Sequence, residues 1–339
     1  MESNTGVATA DGAGGSANQV RVKEFLLKYS FAIVFVLLVV YLSFATSKFL
    51  TVSNIVNVFR QVSNQGIIAV GMTMILIMGQ IDLSVGAIMV LCSVIMGQFT
   101  FRYGLPPGLS ILCGLGAGAF FGYLNGVMVA RLRLPPFIVT LGMWQILLAA
   151  NFLYSRNETI RSQDIEAQAP ILQLFAAKFT FAGADFTLGT LFMIALMLFL
   201  AFVLRHTAWG RHVYAVGDDP QAAELSGINV KATLISVYVI AGLICAMAGW
   251  VLIGRIGSVS PNSGQQANIE SITAVVIGGI SLFGGRGSIL GTLFGALIVG
   301  VFTLGLRLLG ADAQWTYLMI GALIIGAVAI DQRIRRVTA

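Results

Sequence analysis

The chain has 339 residues, of which 57% are hydrophobic and only 10% are charged. A soluble domain carries about 25% charged residues, so this composition excludes a soluble globular protein and predicts an all-α integral membrane protein in a lipid bilayer. The net charge of +6 is typical of the basic cytoplasmic loops of membrane proteins, and we expect no nucleic-acid partner. The three cysteines stand apart in apolar segments without metal-ligand spacing, which predicts buried hydrophobes and no metal site.

The first 27 residues are rich in Gly, Ser, Ala and Asn, a composition that predicts a disordered cytoplasmic N-terminus. Apolar runs then follow one another, each close to the ~20 residues that a spanning helix needs. We predict a transmembrane domain over 28–331 and a basic cytoplasmic tail over 332–339. The ten predicted crossings lie at about 29–47, 61–79, 84–101, 107–130, 137–154, 187–205, 232–255, 269–283, 288–309 and 313–331.

The eighth run, at about 269–283, is short and rich in glycine. It is compatible with a full crossing and also with a broken, re-entrant element of the kind that transporters contain. The first run follows three basic residues but ends without a convincing small-residue cleavage site. We therefore interpret it as a retained helix and not as a signal peptide.

The distribution of Lys and Arg predicts the orientation, because cytoplasmic loops carry an excess of both. With the N-terminus inside and ten crossings, twelve of the twenty basic residues fall in inner loops. We therefore expect a multi-pass membrane protein with both termini in the cytoplasm. The same threading places a long loop at about 155–186 outside and another at about 206–231 inside.

The motif "GQIDLSVGA", which begins at Gly79, contains a carboxylate inside an apolar stretch. Asp82 is the only formally charged residue between Arg60 and Arg102. A bare carboxylate in the middle of a bilayer costs about 2.5–3.5 kcal/mol, so some compensation is expected. Gly79 can end the second helix, and Asp82 or Ser84 can then cap the N-terminus of the third.

Two other roles for Asp82 stay open. The residue can act in gating or in a subunit contact, or it can be the proton-relay carboxylate of a secondary transporter. We identify no second intramembrane acid to accompany it, because Glu270 lies near the outer end of its predicted helix.

A similar motif occurs later in the chain. "GQIDLSVG" (79–86) aligns with "GGISLFGG" (278–285), and both fall at helix-to-helix turns on the predicted inner side. A duplicated structural unit explains the match, as transporters are often built from repeats, but Gly and Leu are abundant enough for chance to explain it too. The residues that we predict to act in helix turns and gating are Gly79, Asp82, Ser84, Gly86, Gly284, Gly285 and Arg286.

Polar side chains recur along the second predicted helix at spacings of three, four and three, which places them on one helical face. Carboxamides offer donors and acceptors without net charge, which suits a neutral, hydroxylated solute. An amphipathic segment at the interface and ordinary helix–helix contacts are the alternatives. The candidate pathway residues are Asn54, Asn57, Gln61, Asn64 and Gln65, with Asn125, Trp144, Gln145 and Asn151 on later helices.

The inner loop at about 206–231 contains a short helix with both ends marked in the sequence. Asp218 or Asp219 can act as its N-cap, Pro220 suits the first helical position, and Gly227 can take the left-handed position after the end. The helix is about two turns long and needs something to dock against, since so short a helix is unstable alone. An ordinary interfacial linker is the alternative. A face of small side chains, which allows another protein to approach closely, consists of Ala222, Ala223 and Ser226.

The segments "AVGDDPQAAELSGINV", "GQIDLSVGA" and "FGGRGSILGTLFGALIVG" resemble the permease subunits of ribose-, arabinose- and xylose-type ABC importers. The resemblance runs from about Asn54 to Arg336. It implies a type II ABC importer permease fold of about ten helices in a bacterial inner membrane, and a coupling helix that sits in a groove of a separate cytoplasmic ATPase. The family commonly has Asn where this chain has Asp219, which adds charge there and leaves capping intact. The coupling residues implied are Gly217, Asp218, Asp219, Pro220, Ala222, Ala223, Glu224, Ser226 and Gly227.

The resemblance also implies the other partners. An external sugar-binding protein would deliver a monosaccharide, and a second permease copy, identical or different, would complete the pathway. The chain contains no G-x-x-x-x-G-K-[ST] motif, and its two histidines form no triad or metal cluster in the sequence. We therefore expect no enzymatic activity and no cofactor in this chain, with ATP and Mg²⁺ held by the ATPase. The competing hypotheses are a proton-coupled transporter that uses Asp82, a passive channel and a membrane scaffold.

Overall fold

The computed structural model describes residues 30–46, 48–181, 183–264 and 266–338. The predicted disordered N-terminus, 1–27, lies outside these ranges. The described chain is helical almost throughout, which confirms the all-α class. Its α-helices are α1 (Ser30–Ala45), α2 (Val52–Ile77), α3 (Val85–Phe101), α4 (Pro107–Ala130), α5 (Pro136–Ser155), α6 (Ser162–Gln168), α7 (Leu188–His206), α8 (Ala208–Asp218), α9 (Pro220–Leu225), α10 (Val230–Ile256), α11 (Ala267–Ile277), α12 (Ile289–Leu308) and α13 (Ala313–Thr338).

Each of the ten predicted crossings contains one of these helices. By length and composition, five of the described helices can cross a membrane: α4, α5, α7, α10 and α12. Shorter apolar helices lie in the predicted crossings at α1, α3, α11 and α13. The remaining one, α2, begins earlier than predicted because the Thr51 hydroxyl accepts a hydrogen bond from the Asn54 N–H and starts the helix at Val52.

Helix α11 decides the question left open for the eighth crossing. It has 11 residues, and at 1.5 Å per residue it is roughly 16 Å long, about half the ~30 Å hydrocarbon thickness. The helix stops at Ile277, and Gly279 adopts a left-handed conformation just after it. A helix that continues to about residue 283 is therefore wrong. This segment is a broken element and not a full helical crossing.

The centre of the bundle is formed by α10 packed on α4, α2 and α3. Glycines allow the closest of these approaches: a Cβ built on Gly122 of α4 would lie 2.2 Å from the Tyr238 carbonyl oxygen of α10. A Cβ on Gly242 would lie equally close to the Gly118 carbonyl oxygen. These contacts confirm that glycine in α4 serves helix packing.

The long loop predicted outside the membrane is ordered where it is described. It contains α6, a 3-10 helix (Pro170–Ala176) and a hairpin of β1 (Lys178–Phe181) and β2 (Ala184–Thr187), in which Phe179 pairs with Phe186. An isolated bridge between Ile160 and Val259 attaches the loop to the segment after α10.

Candidate functional site

The inner loop folds into two consecutive helices, α8 and α9, which we call the α8–α9 hairpin (208–225). The Thr207 hydroxyl starts α8 by accepting a hydrogen bond from the Gly210 N–H at 3.0 Å. Of the two predicted N-caps, Asp219 is the one used for α9: its Oδ1 accepts from the Gln221 and Ala222 N–H groups at 2.8 and 3.0 Å.

The remaining end signals of α9 also lie where the sequence predicted them. Pro220 is the first helical residue, and Gly227 has a φ of +83°, a left-handed conformation that favours glycine. The helix is thus closed at both ends by local interactions within the chain.

The outward face of α9 differs from the predicted small-residue face. Ala223 is only 4% exposed and belongs to the core of the bundle, so it cannot touch another protein. Its neighbours Ala222 and Ser226 are exposed, together with Glu224. Leu225, which the sequence analysis did not select, is 90% exposed at the tip of the helix.

Gly217, near the end of α8, is buried against two other chain segments. A Cβ at this position would lie 1.8 Å from the Ile77 carbonyl oxygen at the end of α2 and 3.0 Å from the Gly285 nitrogen. The Gly285 N–H itself donates to that Ile77 carbonyl at 2.8 Å. A Cβ on Gly284 would lie 2.4 Å from the Gly217 carbonyl oxygen and 2.9 Å from the Gly79 nitrogen. Backbone therefore meets backbone at this point, with no room for side chains.

Further contacts fix α8 to the loop between α11 and α12. The Tyr214 hydroxyl donates to the Gly287 carbonyl at 2.8 Å, and a Cβ on Gly285 would lie 2.8 Å from Asp218 Oδ1. Arg286, predicted as a gating residue, is exposed. The predicted coupling residues and the predicted turn residues are far apart in the sequence, whereas the structure packs members of both groups into one cluster. We call this cluster of Gly79, Gly217, Gly284 and Gly285 the glycine junction.

The two turns of the predicted repeat have the same backbone structure. Each follows a helix, α2 or α11, that ends in a Schellman motif with a left-handed glycine, Gly79 (φ +67°) or Gly279 (φ +78°). In both turns the next N–H, that of Gln80 or Ile280, donates to the carbonyl five residues earlier. The structural offset is therefore 200 residues. The predicted alignment, which placed Gly79 opposite Gly278, was wrong by one residue.

Asp82 is 2% exposed in the turn between α2 and α3. Its Oδ1 accepts hydrogen bonds from the Ser84 N–H at 2.7 Å and the Ser84 hydroxyl at 2.6 Å, and the Asn125 amide donates to the Ser84 oxygen at 2.9 Å. Burial raises the pKa of the Asp82 carboxyl, while the hydrogen bonds from Ser84 oppose that shift. Asp82 and Asn125 thus hold the turn in shape.

The predicted capping of α3 by Asp82 or Ser84 is wrong. Ser84 is the N-cap residue, but its side chain makes no capping bond, and Asp82 reaches only as far as Ser84. The N–H of Gly86 is instead bonded by the side-chain oxygen of Asn268, which lies in the first turn of α11. Asn268 is 182 positions away along the chain, so no local pattern could have identified it.

We expect Asp82→Asn to retain ATP-dependent uptake. The asparagine oxygen can accept the same two hydrogen bonds from Ser84, so the turn keeps its shape. Uptake should be measured in proteoliposomes with and without a proton gradient. Loss of uptake in the folded variant would contradict this expectation, and loss of a proton dependence present in the unmodified protein would favour the proton-coupled alternative.

The five carboxamides of α2 differ in how far their side chains are exposed. Asn64 and Gln65 are 3% and 8% exposed, whereas Asn57 is exposed and Gln61 is half-buried. The Asn54 side chain donates to the Lys48 carbonyl at 2.7 Å and so belongs to the start of the helix. That the stripe lines a pathway stays a prediction.

Glu270, which we placed near the outer end of its predicted helix, lies in the first turn of α11. That helix, α11, is half-length, and Glu270 accepts a hydrogen bond from Gln65 in the middle of α2. Glu270 is half-buried there, and it makes no hydrogen bond with Asp82.

The candidates on α5 also lie in different environments. Trp144 is half-buried and Asn151 is 2% exposed, while Gln145 is exposed on the outside of the chain. Trp144 and Asn151 line one small cavity together.

The described helices define a helical membrane protein with an exposed helical hairpin, α8–α9, on its surface. Residues 54–328 match the family described as "Branched-chain amino acid transport system / permease component", and the chain belongs to this family. It is a multi-pass inner-membrane transport component. No solved structure matches the chain.

Curated relatives are similar over nearly their whole length. The fructose import permease protein FrcC of Rhizobium meliloti is 61% identical over 342 residues, which covers 100% of this chain and 95% of the relative. The ribose import permease protein RbsC of Bacillus subtilis is 36% identical, covering 88% and 90%. The galactose/methyl galactoside import permease protein MglC of Escherichia coli is 32% identical, covering 91% and 96%.

Proposed function

We propose that this chain forms the membrane pathway of an ATP-driven importer of a monosaccharide. The relatives named above are import permeases for fructose, ribose and galactose, and fructose is the first candidate cargo because the 61% identical relative is named for it. A second copy of the permease would complete the pathway, and an external sugar-binding protein would release the sugar to the outer loops at about 155–186. ATP and Mg²⁺ would be held by a separate cytoplasmic ATPase, and both termini would face the cytoplasm.

One observation carries the coupling part of this proposal. The α8–α9 hairpin presents an exposed, doubly capped helix at its tip, and its base is packed without clearance against the turns after α2 and α11. Because packed backbones cannot deform continuously, a displacement of α9 by an ATPase must move these turns or separate them from α8. The ATPase would shift the permease between inward-open and outward-open states only if it binds the two with different affinity.

We expect Ala222→Trp to abolish coupling while the permease still inserts and folds. Ala222 is exposed on α9, so an indole at this position prevents close approach of the ATPase without disturbing the core. The measurements are co-purification of the ATPase and ATP-dependent sugar uptake in proteoliposomes.

Ala167→Trp is the matched control, because Ala167 is also an exposed alanine in a short helix, α6, in the loop predicted outside. It should leave ATPase association unchanged. Normal uptake and association with Ala222→Trp would rule out α9 as the docking element.

A further inference from the structure

A small cavity lies between α3, α5, the segment 261–264 and the first turn of α11. Its volume is about 20 Å³, which is room for about one water molecule. Four residues of α5 line the cavity: Trp144, Leu147, Leu148 and Asn151. The last three follow Trp144 by three, four and seven positions, so all four lie on a single face of the helix. The lining residues are Gly86, Ala87, Val90, Trp144, Leu147, Leu148, Asn151, Pro261, Ser263, Gly264 and Asn268.

Asn151, one of the lining residues, carries a buried polar atom whose hydrogen bonding is incomplete. Its amide Nδ2 donates to the Pro261 carbonyl at 2.8 Å, and since a carbonyl oxygen can only accept, this bond fixes which end of the carboxamide faces Pro261. The other end, Oδ1, is buried without a hydrogen-bond partner. A buried acceptor without a donor is costly, so Oδ1 is a place where a hydroxyl group would be bound.

Trp144 lies two turns before Asn151 on the same face of α5 and presents an aromatic ring to the cavity. An aromatic ring packs well against the C–H groups of a sugar, while a carboxamide oxygen accepts from a sugar hydroxyl. Small residues surround the two: a Cβ on Gly86 would lie 2.5 Å from Asn268 Oδ1, and one on Gly264 would lie 2.6 Å from a Met89 carbon. The walls are mostly apolar, and the Asn151 carboxamide is one of the few polar groups among the lining residues.

The cavity also lies next to the element that we propose for coupling. Gly86 and Asn268 both line the cavity, and the Gly86 N–H donates a hydrogen bond to Asn268 Oδ1. Gly86 lies four residues after Asp82 in the chain. The turn that holds Asp82 begins at Gly79, which belongs to the glycine junction. A movement of the junction would therefore reach this wall through one short turn.

We propose that the cavity is a recognition subsite for one hydroxyl-bearing arm of the transported monosaccharide. The hydroxyl donates to Asn151 Oδ1, and the adjoining carbon packs on the Trp144 ring. At about 20 Å³ the cavity admits a single hydroxyl group and not a sugar ring, so entry of the ring requires the 261–264 segment to move away from α3. This inference rests on the proposed function, because it assigns a sugar subsite within that pathway.

The test is uptake by the complete importer, reconstituted with its ATPase and binding protein. Fructose is compared with 1-deoxyfructose and 6-deoxyfructose, each of which lacks one hydroxyl. The unmodified protein should prefer fructose over one of these analogues at least tenfold. Asn151→Leu should lower fructose uptake about tenfold and remove that preference, while stimulation of the ATPase by the loaded binding protein persists.

Two further variants keep the test decisive if Asn151→Leu does not fold. Trp144→Phe keeps an aromatic ring and should retain the preference, whereas Trp144→Leu should lower uptake of all three sugars several-fold. Gln314→Leu removes an exposed carboxamide that does not line the cavity, and it should behave like the unmodified protein.

The outcomes separate this inference from the proposed function. If the unmodified importer takes up no monosaccharide with ATP, both are overturned. If it takes up a monosaccharide, the comparison is made with the deoxy analogues of that sugar. The subsite alone is overturned if the unmodified importer shows no preference among them, or if folded Asn151→Leu and Trp144→Leu keep the original preference and rate.

Discussion

Replacing Gly217 by alanine should reduce ATP-dependent uptake at least tenfold. The new methyl group would lie 1.8 Å from the Ile77 carbonyl oxygen, a distance that real Cβ atoms essentially never show. Overpacking of a core typically costs 1–3 kcal/mol even where flexible side chains can move, and here the obstacle is backbone. The end of α8 must therefore move away from the turns after α2 and α11, which breaks the proposed link between ATPase and bundle.

Uptake and ATPase stimulation should be measured separately for this variant. We expect the ATPase to bind, since α9 and its outward face are unchanged, but stimulation by the loaded binding protein should be lost. Gly116→Ala is the control: apart from the neighbouring residues and the local backbone of its own helix, no heavy atom of the described chain lies within 4 Å of a Cβ at this glycine. A glycine-to-alanine change within a helix stabilises by about 0.5–1 kcal/mol, so this variant should be fully active. Wild-type uptake by Gly217→Ala would show that the glycine junction does not transmit the movement.

Replacing Leu225 by aspartate should weaken ATPase association at least tenfold. Leu225 is 90% exposed at the tip of α9, so it contributes little to the core of its own chain. Burying a leucine side chain in a groove stabilises by about 1.5–3 kcal/mol, and each ~1.4 kcal/mol corresponds to a tenfold change in affinity. Aspartate removes that contribution and adds the cost of desolvating a charge.

Leu225→Met provides the matched control, because it keeps an apolar side chain of similar volume and should bind the ATPase like the unmodified protein. Affinity is measured with the purified permease in detergent and titrated ATPase. Because Leu225 is exposed, folding and sugar-independent stability should be the same in both variants. Equal affinities for Leu225→Asp and Leu225→Met would show that the tip of α9 does not enter the partner.

The two substitutions probe different parts of one path. Leu225 lies where the ATPase would bind, and Gly217 lies where α8 meets the bundle. From there the turn that contains Asp82 leads to Gly86 in the wall of the cavity that Asn151 lines. Spatial contiguity alone does not demonstrate coupling, so separating ATPase binding from ATPase stimulation is the essential part of both experiments.

Features that depend on neighbouring residues were predictable from the sequence. Asp219 and Pro220 start α9, and Gly227 follows its end, because capping and turn preferences act over three or four residues. Composition likewise determined the class of protein, since a chain with 10% charged residues cannot cover itself with water-facing surface.

Features that join distant parts of the chain were decided only by the tertiary structure. The capping of Gly86 by Asn268 and the pairing of Gln65 with Glu270 connect residues 182 and 205 positions apart. The burial of Ala223 next to an exposed Ala222 depends on which face of α9 the bundle covers. Hydropathy and capping patterns carry no information about such pairings, because the energy that selects them comes from packing between helices and not from the local chain.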